Sequence, residues 1–203
     1  MIVVVDYGLG NLGSIANMLK KIGAQFCITR DENSILNGEK ILLPGVGAFD
    51  AAIEKIDELG LRSTLTKKAQ IDKVPFLGIC LGMQLIVEGS DEGNLNGLGL
   101  IKGECKRFKF EDSKLKIPHM GWNTIELMKN SELTAGMEVD EQRFYFVHSY
   151  YVQCAYPEDI VATTNYGGKF ASIIQKDNVF GAQFHPEKSH RFGMNLLANF
   201  AKL

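Results

Sequence analysis

The sequence predicts an α/β fold: a single domain, residues 1–203, with a mixed, largely parallel central sheet flanked by helices. Three observations carry this. The chain opens on a continuous β-branched run, Ile2-Val3-Val4-Val5, of the kind found in strands buried on both faces. Apolar segments of strand length then alternate with segments of helical periodicity, as parallel βαβ units require. A chain of 203 residues also suits one large core and needs no disulfide or metal to fold.

Taken in order, residues 2–6 read as the first strand. Residues 11–22 follow as a helix, with Leu12, Ile15, Ala16, Leu19 and Ile22 at helical spacing and Gly23 as its stop. Strands are expected at 25–29 and 40–43, the second leading into a loop, Pro44-Gly45-Val46-Gly47. Helices are expected at 48–57 and 61–71. A strand at 74–79 runs into Cys80, and a helix at 81–88 follows. Beyond a Gly/Asn/Asp-rich loop at 89–99, strand character dominates at 100–108, 116–127, 143–153, 160–165, 170–176 and 179–184. A terminal helix at 190–202 has Phe192, Leu196, Leu197 and Phe200 on one face. The stretch 109–116 carries no feature that can be assigned.

Composition narrows the function. The formal net charge of −2 lacks the basic excess of a nucleic-acid surface. No run of about 18 apolar residues suggests a membrane span. Met1 leads straight into the first strand, without a basic region before it or a small-residue cleavage site after it, so no secretory signal is expected. The four cysteines, Cys27, Cys80, Cys105 and Cys154, are scattered, with no C-x-x-C and no zinc spacing. The expectation is a reduced, cytoplasmic protein with free thiols, no metal and no cofactor.

Cys80 stands apart from the other cysteines, which read as packing residues. It lies in Gly78-Ile79-Cys80-Leu81-Gly82, between an apolar strand and a helix. The pattern is that of a sharp strand-to-helix turn that lifts a nucleophile above the sheet, with glycines where side chains would collide. The following helix favours the thiolate through its macrodipole. A nucleophilic thiol needs an acid–base partner and a group that orients it. His185 and Glu187 lie two apart in Phe184-His185-Pro186-Glu187-Lys188, directly after an apolar strand, and on an extended segment they would point the same way. His148 and His119 are the rival bases; neither has a carboxylate neighbour in sequence. His190, at a helix start, reads as solvated.

Taken jointly, the turn around Cys80, the following Met83-Gln84 and the downstream His185-Pro186-Glu187 resemble the class I glutamine amidotransferases. Further segments narrow the likeness: Asp6–Asn11, Pro44–Phe49, Pro118–Asn123, Tyr145–Tyr151 and His185–Ser189 are similar to the glutaminase subunits of imidazole glycerol phosphate synthase, an enzyme of histidine biosynthesis. The resemblance spans nearly the whole chain. It implies a flavodoxin-like core and a Cys80, His185, Glu187 triad that hydrolyses L-glutamine through a thioester. It implies an oxyanion hole from Leu81 and the Val46-Gly47 peptide, and glutamine held by Gly47, Gln84, Glu92, Ser149 and Tyr150. Glu92 also reads as a solvated loop residue, and Gln84 as a packing residue of its helix. The implied partner is a separate (β/α)8-barrel cyclase, forming a heterodimer, with Asn11, Trp122 and Lys188 in the motifs that face it; Trp122 also reads as core. Three competing readings keep part of the pattern: a related glutaminase that supplies ammonia for amination of a surface-polysaccharide sugar, a peptidase on a similar scaffold, and an idle subunit that only regulates a barrel enzyme.

Overall fold

A computed structural model describes residues 1–110, 115–137 and 142–203; within the unassigned stretch 109–116, residues 111–114 lie outside that description. The first half follows the expected succession of strands and helices with one helix added. Strands β1 (Ile2–Val5), β2 (Phe26–Thr29), β3 (Lys40–Gly45) and β4 (Phe76–Cys80) alternate with helices α1 (Leu12–Lys21), α2 (Glu32–Leu36), α3 (Phe49–Glu58), α4 (Leu61–Gln70) and α5 (Leu81–Leu85). The second half supplies β5 (Gly89–Ser90), β6 (Gly103–Arg107), β7 (His119–Thr124), β8 (Glu126–Leu127), β9 (Arg143–His148), β10 (Tyr150–Cys154), β11 (Ile160–Asn165), β12 (Lys169–Lys176) and β13 (Val179–Ala182), closed by helix α6 (His190–Lys202).

The central sheet has eight strands in the order β2-β1-β3-β4-β13-β12-β11-β8. From β2 to β13 neighbouring strands run parallel; β12, β11 and β8 add antiparallel pairings. The mixed, largely parallel sheet of the sequence reading is therefore the observed one. Side chains of β1 alternate between its faces. Val3 and Val5 enter one buried cluster with α2 to α5, and Ile2 and Val4 enter another with Leu19 of α1 and Leu196, Leu197 and Phe200 of α6.

Several boundaries differ from the sequence reading. Helix α2 was not expected: its five residues are too few to show a period, and Ile35 is its one buried side chain, although Asp31 caps it by accepting from the Ser34 amide. Pro44 and Gly45 belong to β3, so the loop begins at Val46. The helix after Cys80 stops at Leu85 because the following backbone turns to bond with the 97–103 segment, Gly97 to Glu88 and Leu98 to Leu85 among them. Within the expected loop 89–99, Gly89 and Ser90 pair as a short strand with β6. The long strand segments 116–127 and 143–153 each divide. β7 and β9 form a two-stranded sheet, whereas β10 joins β6 and β5 in a three-stranded one. The break between β9 and β10 falls at Ser149.

The turn at Cys80 depends on close backbone approach. A Cβ on Gly82 would stand 1.9 Å from the Leu43 carbonyl oxygen, and one on Gly78 would stand 2.5 Å from that of Gly82. Cys80 itself has φ 53° and ψ −107°, a backbone state that side-chain-bearing residues rarely adopt. Replacing Gly82 by Ala is expected to cost about 3 kcal/mol or more, because backbone must move to admit the methyl group. Equilibrium urea unfolding measures this, and an unchanged midpoint would contradict it.

Candidate active site

Strand pairing brings the predicted groups together. β13 lies beside β4 in parallel, with Ala182 opposite Ile79 and Gly181 opposite Gly78. The residues that follow, Cys80 on one strand and Gln183 to His185 on the other, emerge at the same carboxyl edge, where open α/β sheets bind ligands. On the other side of β4, β3 sets Gly45 opposite Cys80, and Val46 and Gly47 continue from there into the same cleft. Val46, Gly47, Cys80, Leu81, Gln84, Glu92, Ser149, Tyr150 and His185 all line one cleft of about 310 Å³, a size suited to a small ligand.

His185 and Glu187 are paired, though not on the extended segment the sequence suggested. Pro186–Lys188 form a 3-10 turn, and this turn brings Glu187 Oε1 to 2.8 Å from His185 Nδ1. The hairpin-like return is fixed elsewhere. The His185 amide donates to the Tyr145 carbonyl, and the Ser189 hydroxyl donates to the His185 carbonyl while accepting from the Tyr145 amide. Imidazole and carboxylate are each 2% exposed. Burial lowers the pKa of His185, but the Cys80 thiol and the Glu187 carboxylate outweigh it and raise the group from 6.5 to about 10. With Nδ1 committed to Glu187, Nε2 is buried and makes no hydrogen bond within normal limits.

The Cys80 sulfur lies 3.9 Å from the Val147 carbonyl oxygen and 3.9 Å from the Gln183 side-chain amide nitrogen. Gln183 was missed by sequence reasoning. It is fully buried, and its carboxamide links the thiol to Gln84, whose Nε2 stands 3.3 Å from Gln183 Oε1 and 3.0 Å from the Tyr150 carbonyl. Its signal in the sequence is a polar residue at the inward end of an apolar strand. The Gln84 amide nitrogen is thus spent on protein contacts. Glu92 is not simply solvated: its Oε2 accepts from the Phe49 amide at 2.9 Å, joining the cleft to the N-terminus of α3.

The motif residues expected at a partner surface take defined places. Trp122 is 42% exposed, so the core alternative falls. It stacks on His190, with ring centroids 5.5 Å apart, and meets Tyr145 edge-on. Lys188 extends over the other contact of this group, 5.6 Å from the Tyr145 ring centroid. Asn11 caps α1, its side-chain oxygen 3.4 Å from the Ser14 amide. His119 and His148, the rival bases, bond to each other and not to the sulfur. Among the described residues no group of His, Cys, Asp and Glu side chains is arranged to hold a metal, and no helix is long and apolar enough to cross a membrane.

The thiols of buried Cys105 and half-buried Cys154 are chemically quiet. Burial pushes Cys154 up to about 12 and Cys105 strongly upward. Near neutral pH, iodoacetamide is therefore expected to alkylate Cys80 well before either of them, with His185→Ala slowing the Cys80 reaction. Peptide mapping by mass spectrometry reads the order; comparable labelling of Cys105 or Cys154 would contradict it.

Residues 3–203 match the glutamine amidotransferase class-I family. Among curated relatives, the chain is 50% identical to imidazole glycerol phosphate synthase subunit HisH 2 of Methanococcus maripaludis, over 100% of this chain and 99% of that one. It is 46% identical to HisH 2 of Pseudomonas aeruginosa over the full length of both, and 47% identical to HisH 1 of a Campylobacter jejuni strain, again over both full lengths. A solved structure described as a glutamine amidotransferase shares the fold at a TM-score of 0.77 and 14% identity, covering 100% of both chains. PurLQS from Thermotoga maritima does so at 0.69 and 21%, covering 99% and 97%. This chain belongs to the class I glutamine amidotransferase family, alongside the HisH subunits of imidazole glycerol phosphate synthase.

Proposed function

We propose that this protein is the glutaminase subunit of an imidazole glycerol phosphate synthase: it hydrolyses L-glutamine to glutamate and ammonia, and the ammonia passes to a separate cyclase subunit. The observation that carries the reading is the meeting, in one cleft, of a strained cysteine at the end of β4 with a buried His–Glu pair after the neighbouring β13.

The chemistry follows from those groups. The Cys80 thiolate adds to the carboxamide carbon of glutamine, and the carbonyl electron pair moves onto oxygen. The N–H of Leu81 and one from the Val46-Gly47 peptide stabilise this oxyanion; each such donor is worth about 3 kcal/mol. The His185 imidazolium gives its proton to the departing nitrogen, and ammonia leaves a thioester on Cys80. A water molecule, deprotonated by the now neutral His185, then cleaves the thioester to glutamate and restores the thiolate. Glu187 fixes the ring through Nδ1 and favours its charged form. Glu92 suits the substrate's α-ammonium, and the Ser149-Tyr150 backbone suits its α-carboxylate. Gln84 contributes through its hold on Tyr150.

Ammonia loses its nucleophilicity when protonated in neutral water, so a biosynthetic glutaminase must deliver it along a dry path. We assign that path to a docked (β/α)8-barrel cyclase, in a heterodimer, with Asn11, Trp122 and Lys188 at the contact. An exposed tryptophan packed on His190 and Tyr145 is a preorganised anchor for such a surface. The relatives' names favour the histidine pathway over sugar amination. The four unpaired cysteines fit the reducing cytoplasm.

Cys80→Ala is expected to lower glutamine-dependent synthesis by more than about a thousandfold while sparing synthesis from added ammonium salts in the same complex. Equal loss of both would overturn the reading, as would glutamine turnover that does not rise when the cyclase subunit is added. Glu187→Gln removes one of the groups that raise His185, so the imidazolium should be lost at lower pH. The alkaline limb of the kcat profile should therefore move toward neutrality, and an unmoved limb would exclude the assigned role of Glu187.

A further inference from the structure

His119 and His148 are buried, polar and unused by the reaction above. They lie directly opposite each other on β7 and β9, with His119 Nδ1 2.9 Å from His148 Nε2. His148 Nδ1 is 2.8 Å from the Tyr150 carbonyl oxygen, and Asn123 Nδ2 is 3.3 Å from His119 Nε2. Asn123 Nδ2 also reaches the Asn165 carbonyl at 3.0 Å.

The chain of bonds has one consistent polarity. A carbonyl oxygen accepts only, so His148 donates through Nδ1. A neutral imidazole has one N–H, so His148 Nε2 accepts, and His119 donates to it through Nδ1. His119 Nε2 then accepts from the Asn123 carboxamide. Burial keeps both rings neutral: it lowers His119 to about 4, and it lowers His148 to about 3 against the pull of the Tyr150 carbonyl. Both nitrogens of His148 are committed, so it has no lone pair with which to serve Cys80 as a base. Phe108, Phe146 and Phe170 pack around the pair, and a dry surrounding strengthens such bonds.

The chain ends on a functional piece of backbone. The Tyr150 carbonyl receives two donors, His148 from one side and Gln84 from the other. Ser149 is the break at which the chain leaves the β7–β9 sheet, Tyr150 opens β10 in the next sheet, and both line the cleft beside the edge of His148. Backbone contacts flank this switch, with the Phe108 amide donating to the Ser149 carbonyl and Tyr150 paired opposite Arg107; the two side-chain donors fix the Tyr150 carbonyl in addition. We infer that His148, oriented by His119 and Asn123, is a positioning residue that holds the Ser149-Tyr150 wall in the shape that binds the α-carboxylate end of glutamine. The inference rests on the function proposed above and assigns the fixing of one substrate subsite to residues outside the triad.

Steady-state glutamine hydrolysis by the assembled synthase tests it with His148→Phe and His148→Asn. The Phe variant loses the donor to Tyr150; Asn can set its amide N–H where the Nδ1 proton stood. His148→Phe is expected to raise KM for glutamine about tenfold, the worth of one buried hydrogen bond, with kcat changed less than about threefold. His148→Asn is expected to recover most of the KM. His148→Gln carries its donor at the Nε2 position instead and should share the raised KM, which keeps the comparison available if the Phe variant does not fold. An unchanged KM in the Phe or Gln variant, or a fall in kcat at constant KM, overturns the inference. Nitrogen-15 spectra of the wild-type protein at neutral pH read the chain without any turnover. Both rings should be neutral with the proton on Nδ1, and a proton on Nε2 of His148 overturns the chain. A wild-type complex that shows these tautomers but no glutaminase activity would sink the proposed function and not the hydrogen-bond chain.

Discussion

The parallel pairing of β4 with β13 is the contact on which the site depends, because it converts two distant stretches of sequence into neighbouring strand ends. Parallel strands share a carboxyl edge, so whatever follows each strand emerges on the same side of the sheet. β4 delivers Cys80 there, and β13 delivers Gln183 and His185. β3 lies against the other flank of β4 and supplies the Val46-Gly47 loop. The close approach of Gly82 to the Leu43 carbonyl is the local cost of this arrangement, since α5 must start within a backbone contact of β3. Shift the β4–β13 register by one residue and every side chain exchanges faces; thiol and imidazole would no longer share a cleft.

Burial acts on three histidines in this region, and the outcome is decided by their neighbours. His119 and His148 face each other and aromatic rings, so removal from water leaves them neutral. His185 is buried too, yet it stands between a thiol and a carboxylate and its pKa rises to about 10. One residue type is thereby split into a neutral pair and a ring whose charged form is favoured, as happens wherever environment divides like groups. The division also separates the rings by their nitrogens: both of His148 are committed to hydrogen bonds, whereas Nε2 of His185 has no hydrogen-bond partner.

The cluster of exposed Trp122, Lys188 and His190 around half-buried Tyr145 is attached to the site through backbone. The Tyr145 carbonyl accepts from the His185 amide, and its own amide donates to Ser189. A partner seated on this cluster would press on the same strand that holds the His185–Glu187 turn, and β9 ends at the Ser149 break. Hydrogen bonds of that kind give one contiguous route by which the cluster and the cleft are joined.

Much of this protein was legible in the sequence. The β-branched run at 2–5, the helical spacing at 12–22 and the paired glycines around Cys80 are local signals, fixed by the two periodicities of the backbone and by hard-sphere limits. The His185–Glu187 pairing was legible as an association, though the geometry was not: a 3-10 turn, and not an extended segment, joins them, because Ser189 and Tyr145 pull the chain back. Helix α2 escaped because five residues show no period. The division of 143–153 into strands of two different sheets escaped because both halves are strand-like, and only the partners they find separate them. The contact of Gln183 with the thiol, the His119–His148 chain and the exposure of Trp122 were decided by tertiary structure. Each is a property of what lies across the fold, a thiol on another strand, a ring on a facing one, or solvent, and residue order carries no direct record of such neighbours.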